Sequence, residues 1–478
     1  MFEHLTSSDE RPTAVVVAVQ LPDVSDAELA SSIAELERLA KTLGLEPVGR
    51  LTQRRGRLAT GNVVGEGKLK ELAEWTGGSG VVPSYVKPGS RKASAQADAE
   101  LDAEPDPDGD DDSDDAPVED EADPGDAEDA ERPAARANVV IVDHDLTPTQ
   151  QRNLERATGV DVLDRTSVIL EIFHRHARTR EARLQVEIAR LKYLAPRLRE
   201  GGGGGDRVRG GVGGKGAGET AMELDRRRIR DRIAELRHEL AQIEGGSRTR
   251  RERRNDLPTV ALVGYTNAGK SSLMRALTST EVYVADKLFA TLDTTVRRLQ
   301  PPTEPPILVS DTVGFIKKLP HDLVASFRST LDEANNADLL LHVIDAADAA
   351  HADQLAVTRE VLAEIGADAV PTWLLLNKID QVDEAGRAAL TERYPGALQL
   401  SAKDRADVVA LHEKLIEQFA GKLEEAELDV PWAAQRLVHQ IHERTTVLGE
   451  EHHDEGTRLK VRAPSRVIAE LRAALVAN

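Results

Sequence analysis

The 478-residue chain has no cysteine. That excludes disulfide cross-links and thiolate metal sites, and it fits a reducing cytoplasm. Long apolar runs are also missing: none approaches the roughly 20 residues that a membrane-crossing helix needs, so no membrane span is expected. The first ten residues, Met1 to Glu10, lack the basic start and apolar core of a secretory signal. Lysine and arginine are wholly absent from residues 98–131, which hold 19 Asp and Glu; without these carboxylates the net charge of −21 would be −2. The acidity therefore belongs to one segment and not to the chain as a whole. From about 77 to 136 large apolar side chains are scarce too, and such a composition cannot bury enough surface to offset chain entropy. A disordered acidic insert is expected there. It is either an inert linker or an electrostatic decoy that competes with phosphate for basic surface.

What is present centres on Gly264-Tyr265-Thr266-Asn267-Ala268-Gly269-Lys270-Ser271-Ser272, which follows the apolar run Val260 to Val263 and precedes a helical pattern. This is GxxxxGK[ST], the phosphate loop. Gly264 and Gly269 permit the torsions that turn successive N–H groups toward one anion. Lys270 then reaches the β- and γ-phosphates, and the Ser271 hydroxyl ligates Mg²⁺ at a helix N-terminus.

Three further motifs follow in order, each after an apolar run that reads as a strand. Asp311-Thr312-Val313-Gly314 comes after Ile307 to Ser310; the aspartate would hold Mg²⁺ through water and the Gly314 N–H would sense the γ-phosphate. Asn377-Lys378-Ile379-Asp380 comes after Trp373 to Leu376, and Asp380 would accept two hydrogen bonds that guanine can donate and adenine cannot. Ser401-Ala402-Lys403 comes after Leu398 to Leu400, with the Ala402 amide placed for the guanine O6. Each tripeptide is weak alone, but four in this order specify a guanine-nucleotide-binding domain, set at 257–421. Phe315 stands where many such enzymes carry a water-orienting glutamine, so unaided hydrolysis of GTP is expected to be slow.

Ahead of it, Thr13 to Leu21 reads as a strand, Ser25 to Leu43 as a capped helix, Pro47 to Leu51 as a strand and Gly67 to Trp75 as a helix. Val139 to Val142 is a strand, and Thr147-Pro148 opens a helix. The alternation predicts an α/β domain with a mainly parallel sheet over 1–174, interrupted by the insert. Asn62 to Lys68 imitates half a phosphate loop and reads as a turn before a helix, with nucleic acid or nucleotide contact as the alternative.

Residues 175–254 switch to heptads: Leu184, Ile188, Leu191 and Leu198, then Ile229, Ile233, Leu236, Leu240 and Ile243. Gly201 to Gly218 between them is a glycine-rich tip. The pattern predicts an antiparallel helical hairpin with arms on the order of 35–40 Å. This stretch carries 22 Lys and Arg against 12 Asp and Glu, and Arg226-Arg227-Arg228 with Arg248 to Arg254 suits an RNA backbone. A charge-laced solvated spacer is the plainer alternative. Residues 428–478 read as a small α+β appendage of helix, strand and helix, with no motif that carries chemistry.

The chain resembles the HflX family of translation-factor-type GTPases, related to the Obg group. The resemblance rests on residues 264–271, Phe289-Ala290-Thr291-Leu292-Asp293, Asp311 to Phe315 and Asn377 to Asp380. In the first half it rests on Gln151 to Glu155, Asp164-Arg165-Thr166, Thr179 to Glu187 and Gly216 to Thr220. It implies that Thr291 is the switch threonine that ligates Mg²⁺ in the GTP state, where the residues alone leave Thr294 and Thr295 as rivals. It also implies GTP-dependent binding to the large ribosomal subunit and its ribosomal RNA by a cytoplasmic monomer, and the splitting or rescue of stalled or idle ribosomes. Asn267 resembles the asparagine of potassium-activated GTPases, which implies K⁺ beside the phosphates. The chain departs from the family pattern in its acidic insert, in Thr294 where Pro is usual, and in its glycine-rich tip. Two other readings stay open from the residues: an ATP-driven RNA-remodelling enzyme, and an RNA-binding regulator for which the nucleotide is only a conformational ligand.

Overall fold

The computed structural model describes residues 11–59, 61–82, 136–198, 221–252, 257–278, 288–289, 295–318, 333–421 and 423–476. The acidic segment and the glycine-rich tip lie outside them. The chain divides into two compact units, Met1–Val168 and Ile169–Asn478.

In the first unit β1 (Thr13–Gln20) leads to α1 (Asp26–Leu43), β2 (Glu46–Arg54), α2 (Glu66–Thr76), β3 (Val139–Val142), α3 (Pro148–Thr158) and β4 (Asp161–Asp164). The strands pair in the order β2-β1-β3-β4, all parallel. Local chemistry sets the boundaries. Ser25 and Glu28 form a reciprocal capping box at the start of α1, and Thr147 with Gln150 forms another at α3. The β1 and β3 side chains are buried almost throughout, as a parallel sheet covered on both faces demands. Trp75, Leu72 and Leu154 fill one side of it with Val15, Val17, Val140 and Val142.

Strand β4 and helix α4 (Arg165–His176) were not anticipated. The run Asp161 to Ser167 looks polar, yet Asp164, Arg165, Thr166 and Ser167 are all buried. Arg165 pairs with Glu35 and, at 2.8 Å, with Asp143, whose other oxygen accepts from Ser32 Oγ at 2.6 Å. The charges face one another inside the unit, so the surface that the polarity suggests does not exist.

In the second unit α5 (Arg180–Leu194) and α6 (Ala221–Glu252) form the hairpin. Leu184, Ile188 and Leu236 are its buried seam, flanked by Leu191, Ile233, Leu240 and Ile243. Arg180–Glu239 and Arg232–Glu187 ion pairs bridge the arms. The arms are unequal: 15 residues in α5 against 32 in α6.

The following sheet contains β5 (Thr259–Gly264), β6 (Thr295–Arg298), β7 (Leu308–Asp311), β8 (Leu339–Asp345), β9 (Thr372–Asn377) and β10 (Leu398–Gln399). Its order is β10-β9-β8-β5-β7-β6, parallel except for β6. Helices α7 (Lys270–Thr278), α8 (His351–Glu364), α9 (Glu384–Arg393) and α10 (Arg405–Ala420) belong to this domain.

The last part is richer than the expected helix, strand and helix. Strands β11 (Leu423–Pro431), β12 (Thr446–His453) and β13 (Gly456–Pro464) form an antiparallel sheet in the order β11-β13-β12, with α11 (Arg436–Arg444) and α12 (Ser465–Val476). Among the described residues no helix is long and apolar enough to cross a membrane.

Candidate functional site

The carboxyl ends of β5, β7, β8 and β9 meet at one edge of the six-stranded sheet, where parallel α/β sheets present their loops to ligands. Strand β5 runs into the phosphate loop at Gly264, and α7 begins at Lys270. Backbone φ is +148° at Gly264, +62° at Asn267 and +97° at Gly269. Asn tolerates the left-handed region better than most residues. A Cβ at Gly269 would lie 2.2 Å from Asn377 Nδ2, so glycine there serves both the torsion and the close approach.

Lys270 is 5% exposed. Its Nζ donates to the carbonyls of Gly264 at 2.9 Å and Tyr265 at 2.8 Å. Burial pushes its pKa down to about 8, against an opposing pull from the Asp311 charge. The ammonium is thus desolvated and bonded to neutral oxygens, an arrangement that an anion would complete.

Ser271 Oγ donates to Asp311 Oδ2 at 2.8 Å, and Asp311 is fully buried at the end of β7. These hard oxygen donors suit Mg²⁺, which in such sites takes one or two protein oxygens and fills its shell with phosphate and water. Among the described residues no three His, Asp or Glu side chains gather into a metal-binding group. Ala290, Thr291, Leu292 and Asp293, including the third expected ligand, lie outside the described residues.

The loop after β7 is stitched to the phosphate loop. Thr266 N donates to the Phe315 carbonyl at 2.7 Å, Phe315 N to the Gly264 carbonyl at 3.2 Å, and Lys317 N to Tyr265 Oη at 2.7 Å. Thr312 Oγ1 is anchored on the Leu262 carbonyl at 2.8 Å, and Val313 is buried. A Cβ at Gly314 would fall 2.9 Å from Thr266 Cγ2 and 3.1 Å from Lys270 Nζ, so a side chain there collides with the loop or the lysine. Phe315 is 1% exposed.

At the other end Asn377 is a two-ended strap. Its Nδ2 donates to the Ala268 carbonyl at 2.8 Å and its Oδ1 accepts from Ala402 N at 3.0 Å. It joins the phosphate loop to the Ser401-Ala402-Lys403 loop. Asp380 is exposed, and its pKa is lowered, first by a hydrogen bond from Ser401. Ser401 N donates to Asp407 Oδ2 at 2.7 Å, and Lys403 N to Ser401 Oγ at 3.3 Å. Lys378 has φ +60° and its Nζ meets Asp345 Oδ2 at 2.7 Å. Ile379 is buried, and Ser272 is half-buried in the first turn of α7. The Tyr265 hydroxyl contact and the Asp345 partner of Lys378 were not anticipated; that Asp345 closes a strand at the same edge was the available signal.

Three family models match the chain: GTP-binding GTPase N-terminal over 30–82 and 125–174, GTP-binding GTPase Middle Region over 176–254, and 50S ribosome-binding GTPase over 259–378. The chain is 54% identical over 467 residues to the GTPase HflX of Gluconacetobacter diazotrophicus, covering 98% of both chains. The chain belongs to the HflX family of GTPases. Other HflX relatives are those of Caldanaerobacter subterraneus subsp. tengcongensis, at 36% identity over 98% of this chain and 95% of that one, and of Escherichia coli, at 44% over 69% and 79%. The expected family, the GTPase activity and the 50S ribosome-binding class are thereby established. The α/β fold class, with its mostly parallel nucleotide sheet, is the one expected.

Proposed function

We propose that this HflX-family GTPase binds the large ribosomal subunit in its GTP-bound form, acting as a cytoplasmic monomer, and splits or rescues stalled or idle ribosomes. In this reading Lys270 and the amides of residues 265–272 hold the phosphates. Ser271, Asp311 and Thr291 hold Mg²⁺, which when bound draws charge off the phosphate oxygens. Gly314 offers its N–H to the γ-phosphate. Asp380 selects guanine, Ala402 reads its O6, and Asn377 with Lys378 keeps the two loops in register. The observation that carries the guanine half is the Asn377 strap, which links the phosphate loop to Ala402. The ribosome half is supported by the 50S ribosome-binding class and by exposed Arg226, Arg227 and Arg228 on α6.

Phe315 is buried and cannot orient water, so hydrolysis needs a group from outside the motif. K⁺ beside Asn267 is one source. Hydrolysis is expected to run faster in K⁺ than in Na⁺, and Asn267→Gly, which keeps the left-handed backbone and removes only the amide, should abolish the difference. Equal rates of the parent in both salts would remove K⁺ from the scheme.

The main test is sedimentation of the protein with 70S ribosomes and isolated large subunits in GDP, GTP or a non-hydrolysable GTP analogue. Co-sedimentation with large subunits is expected with the analogue and not with GDP, together with loss of the 70S peak. Large subunits that ignore the analogue-bound protein would end the reading; binding with an intact 70S peak would end its splitting part.

A further inference from the structure

The turn that carries Asp380 into the site starts from an unfavourable backbone. Strand β9 ends at Asn377, and Lys378 then takes φ +60° and ψ +30°. Glycine visits this left-handed region freely and asparagine readily, but for most L residues it costs roughly tenfold in population. The chain reverses at once. Residues 379–381 follow as one turn of 3-10 helix, closed by Gln381 N on the Lys378 carbonyl at 2.9 Å, and Asp380 is the exposed middle residue of that turn. The conformation of Lys378 therefore decides where the Asp380 carboxylate stands. Strained backbone of this kind persists only where the surroundings hold it.

One hold comes from the end of the neighbouring strand. Asp345 closes β8 directly opposite Asn377. Ala346 N donates to the Asn377 carbonyl at 2.9 Å, which ties down the peptide ahead of Lys378. The Lys378 ammonium reaches back to Asp345 Oδ2 at 2.7 Å, and Ala347 N fixes the other oxygen, Oδ1, at 3.1 Å. The Lys378 and Asp345 side chains are 24% and 17% exposed, so solvent screens this pair less than a surface pair. Asp345 lies outside all four nucleotide motifs of the sequence.

We infer that Asp345 is a positioning residue for guanine selection: its carboxylate anchors the Lys378 ammonium, and the anchored side chain holds the left-handed turn that presents Asp380 to the base. The inference rests on the reading of Asp380 as the guanine-selecting group. Its mark is specific. Guanine donates to a carboxylate through N1–H and its 2-amino group, whereas hypoxanthine keeps N1–H and lacks the amino group. A carboxylate displaced by a loosened turn loses this paired geometry, so the preference for GDP over inosine diphosphate falls while the phosphate contacts stay. An ion pair of intermediate burial supports an effect of about three- to tenfold.

The experiment measures GDP and inosine diphosphate affinities by calorimetric titration, with kcat and KM for GTP, in the full chain carrying Asp345→Asn, Lys378→Met, both together, Lys378→Gly or Asp380→Ala. Asparagine keeps an acceptor for Ala347 N and removes the charge that holds Lys378. Expected in Asp345→Asn is a preference for GDP over inosine diphosphate reduced about threefold or more, a raised KM for GTP and a kcat within about twofold of the parent's. The double variant should match the worse single one, because Asp345 acts through Lys378. A preference equal to the parent's in Asp345→Asn would overturn the inference, as would losses that multiply in the double variant. Lys378→Gly separates the turn from the side chain. Glycine enters the left-handed region freely, so this variant should retain more of the preference than Lys378→Met. An equal or greater loss in Lys378→Gly would mean that the lysine side chain acts on the base itself, and would overturn the anchoring role. If Asp380→Ala keeps the parent's preference, the reading of the guanine end has failed. If Asp380→Ala loses it and Asp345→Asn does not, only the role of Asp345 has failed. Should Asp345→Asn lose GDP stoichiometry and so prove misfolded, the comparison of Lys378→Gly with Lys378→Met decides alone.

Discussion

The two α/β sheets of this chain, one parallel and one mostly parallel, end in edges of the same kind and opposite chemistry. In the N-terminal sheet Asp143 follows β3 directly, and the chain answers its charge itself. Arg165 bonds Asp143 and Glu35, Ser32 donates to Asp143, and near the end of β1 Gln20 bonds both Arg54 and Asp26. In the nucleotide sheet the cation at the equivalent edge, Lys270, is buried against two neutral carbonyls. Its depressed pKa, about 8, records how poorly its charge is solvated there. Both sheets present loops at the carboxyl ends of parallel strands, so that placement alone is not what makes a site. The difference is whether the buried charge is balanced by folding or left for a ligand.

That difference breaks most sharply in matched substitutions. Arg165→Met should strand Glu35 and Asp143 as buried charges and cost the N-terminal unit about 3–5 kcal/mol. Urea unfolding should show the loss in an N-terminal transition, with GDP affinity within about twofold of the parent. An unshifted transition would mean that the triad is not the balance described here.

Lys270→Met should do the reverse. Removing a desolvated ammonium leaves the unfolding midpoint equal or raised, while loss of a charged hydrogen bond to phosphate, about 1.5–3 kcal/mol, weakens GDP and GTP about ten- to a hundredfold. Calorimetric titration and urea unfolding on one preparation check both parts. Retained affinity would contradict the placement of phosphate, and a falling midpoint would contradict the idea that this charge is left for a ligand.

Asp380→Asn tests the outer end of the same site. Its carboxylate is exposed, so the fold should not respond, but GTP affinity should fall at least tenfold and xanthine nucleotides should gain. Unchanged binding of GTP would move guanine recognition elsewhere.

The nucleotide edge was legible in the sequence because its chemistry demands local patterns. Glycine torsions and a fixed spacing make the phosphate loop, and apolar runs ahead of Asp311, Asn377 and Ser401 mark the strands that carry them. The N-terminal edge was not, because Glu35 becomes meaningful only when folding brings it to Asp143 and Arg165, more than 100 positions away. Strand β12 was hidden for another reason: it is an edge strand, largely exposed, with no apolar face to show. Phe173 and Phe289 meet across 116 positions without any periodic signal. The Asn377 strap shows the limit at the site itself. Its motif announces nucleotide recognition, but that both ends of its amide are spent on Ala268 and Ala402 follows only from the packed loops.

His342 is a third case, a buried ionisable group that neither folding nor nucleotide balances. It sits in β8 opposite Val263, 2% exposed, and its Nε2 makes no hydrogen bond. Burial, with Arg359 and Lys270 adding to it, pushes its pKa down to about 3. The sign follows from proton binding. Between the ordinary value of about 6.5 and the folded value the unfolded chain binds a proton here and the folded chain does not, so folding weakens as pH falls through that window. The slope is about 1.4 kcal/mol per pH unit once pH is well below 6.5. His342→Leu removes the group and should flatten the nucleotide domain's stability by that amount between about pH 6 and 5, above the range where most carboxylates titrate. Urea unfolding of parent and variant at pH 7, 6 and 5 reads the difference. Curves that stay parallel would mean that His342 is as neutral unfolded as folded, and would return its burial to ordinary packing.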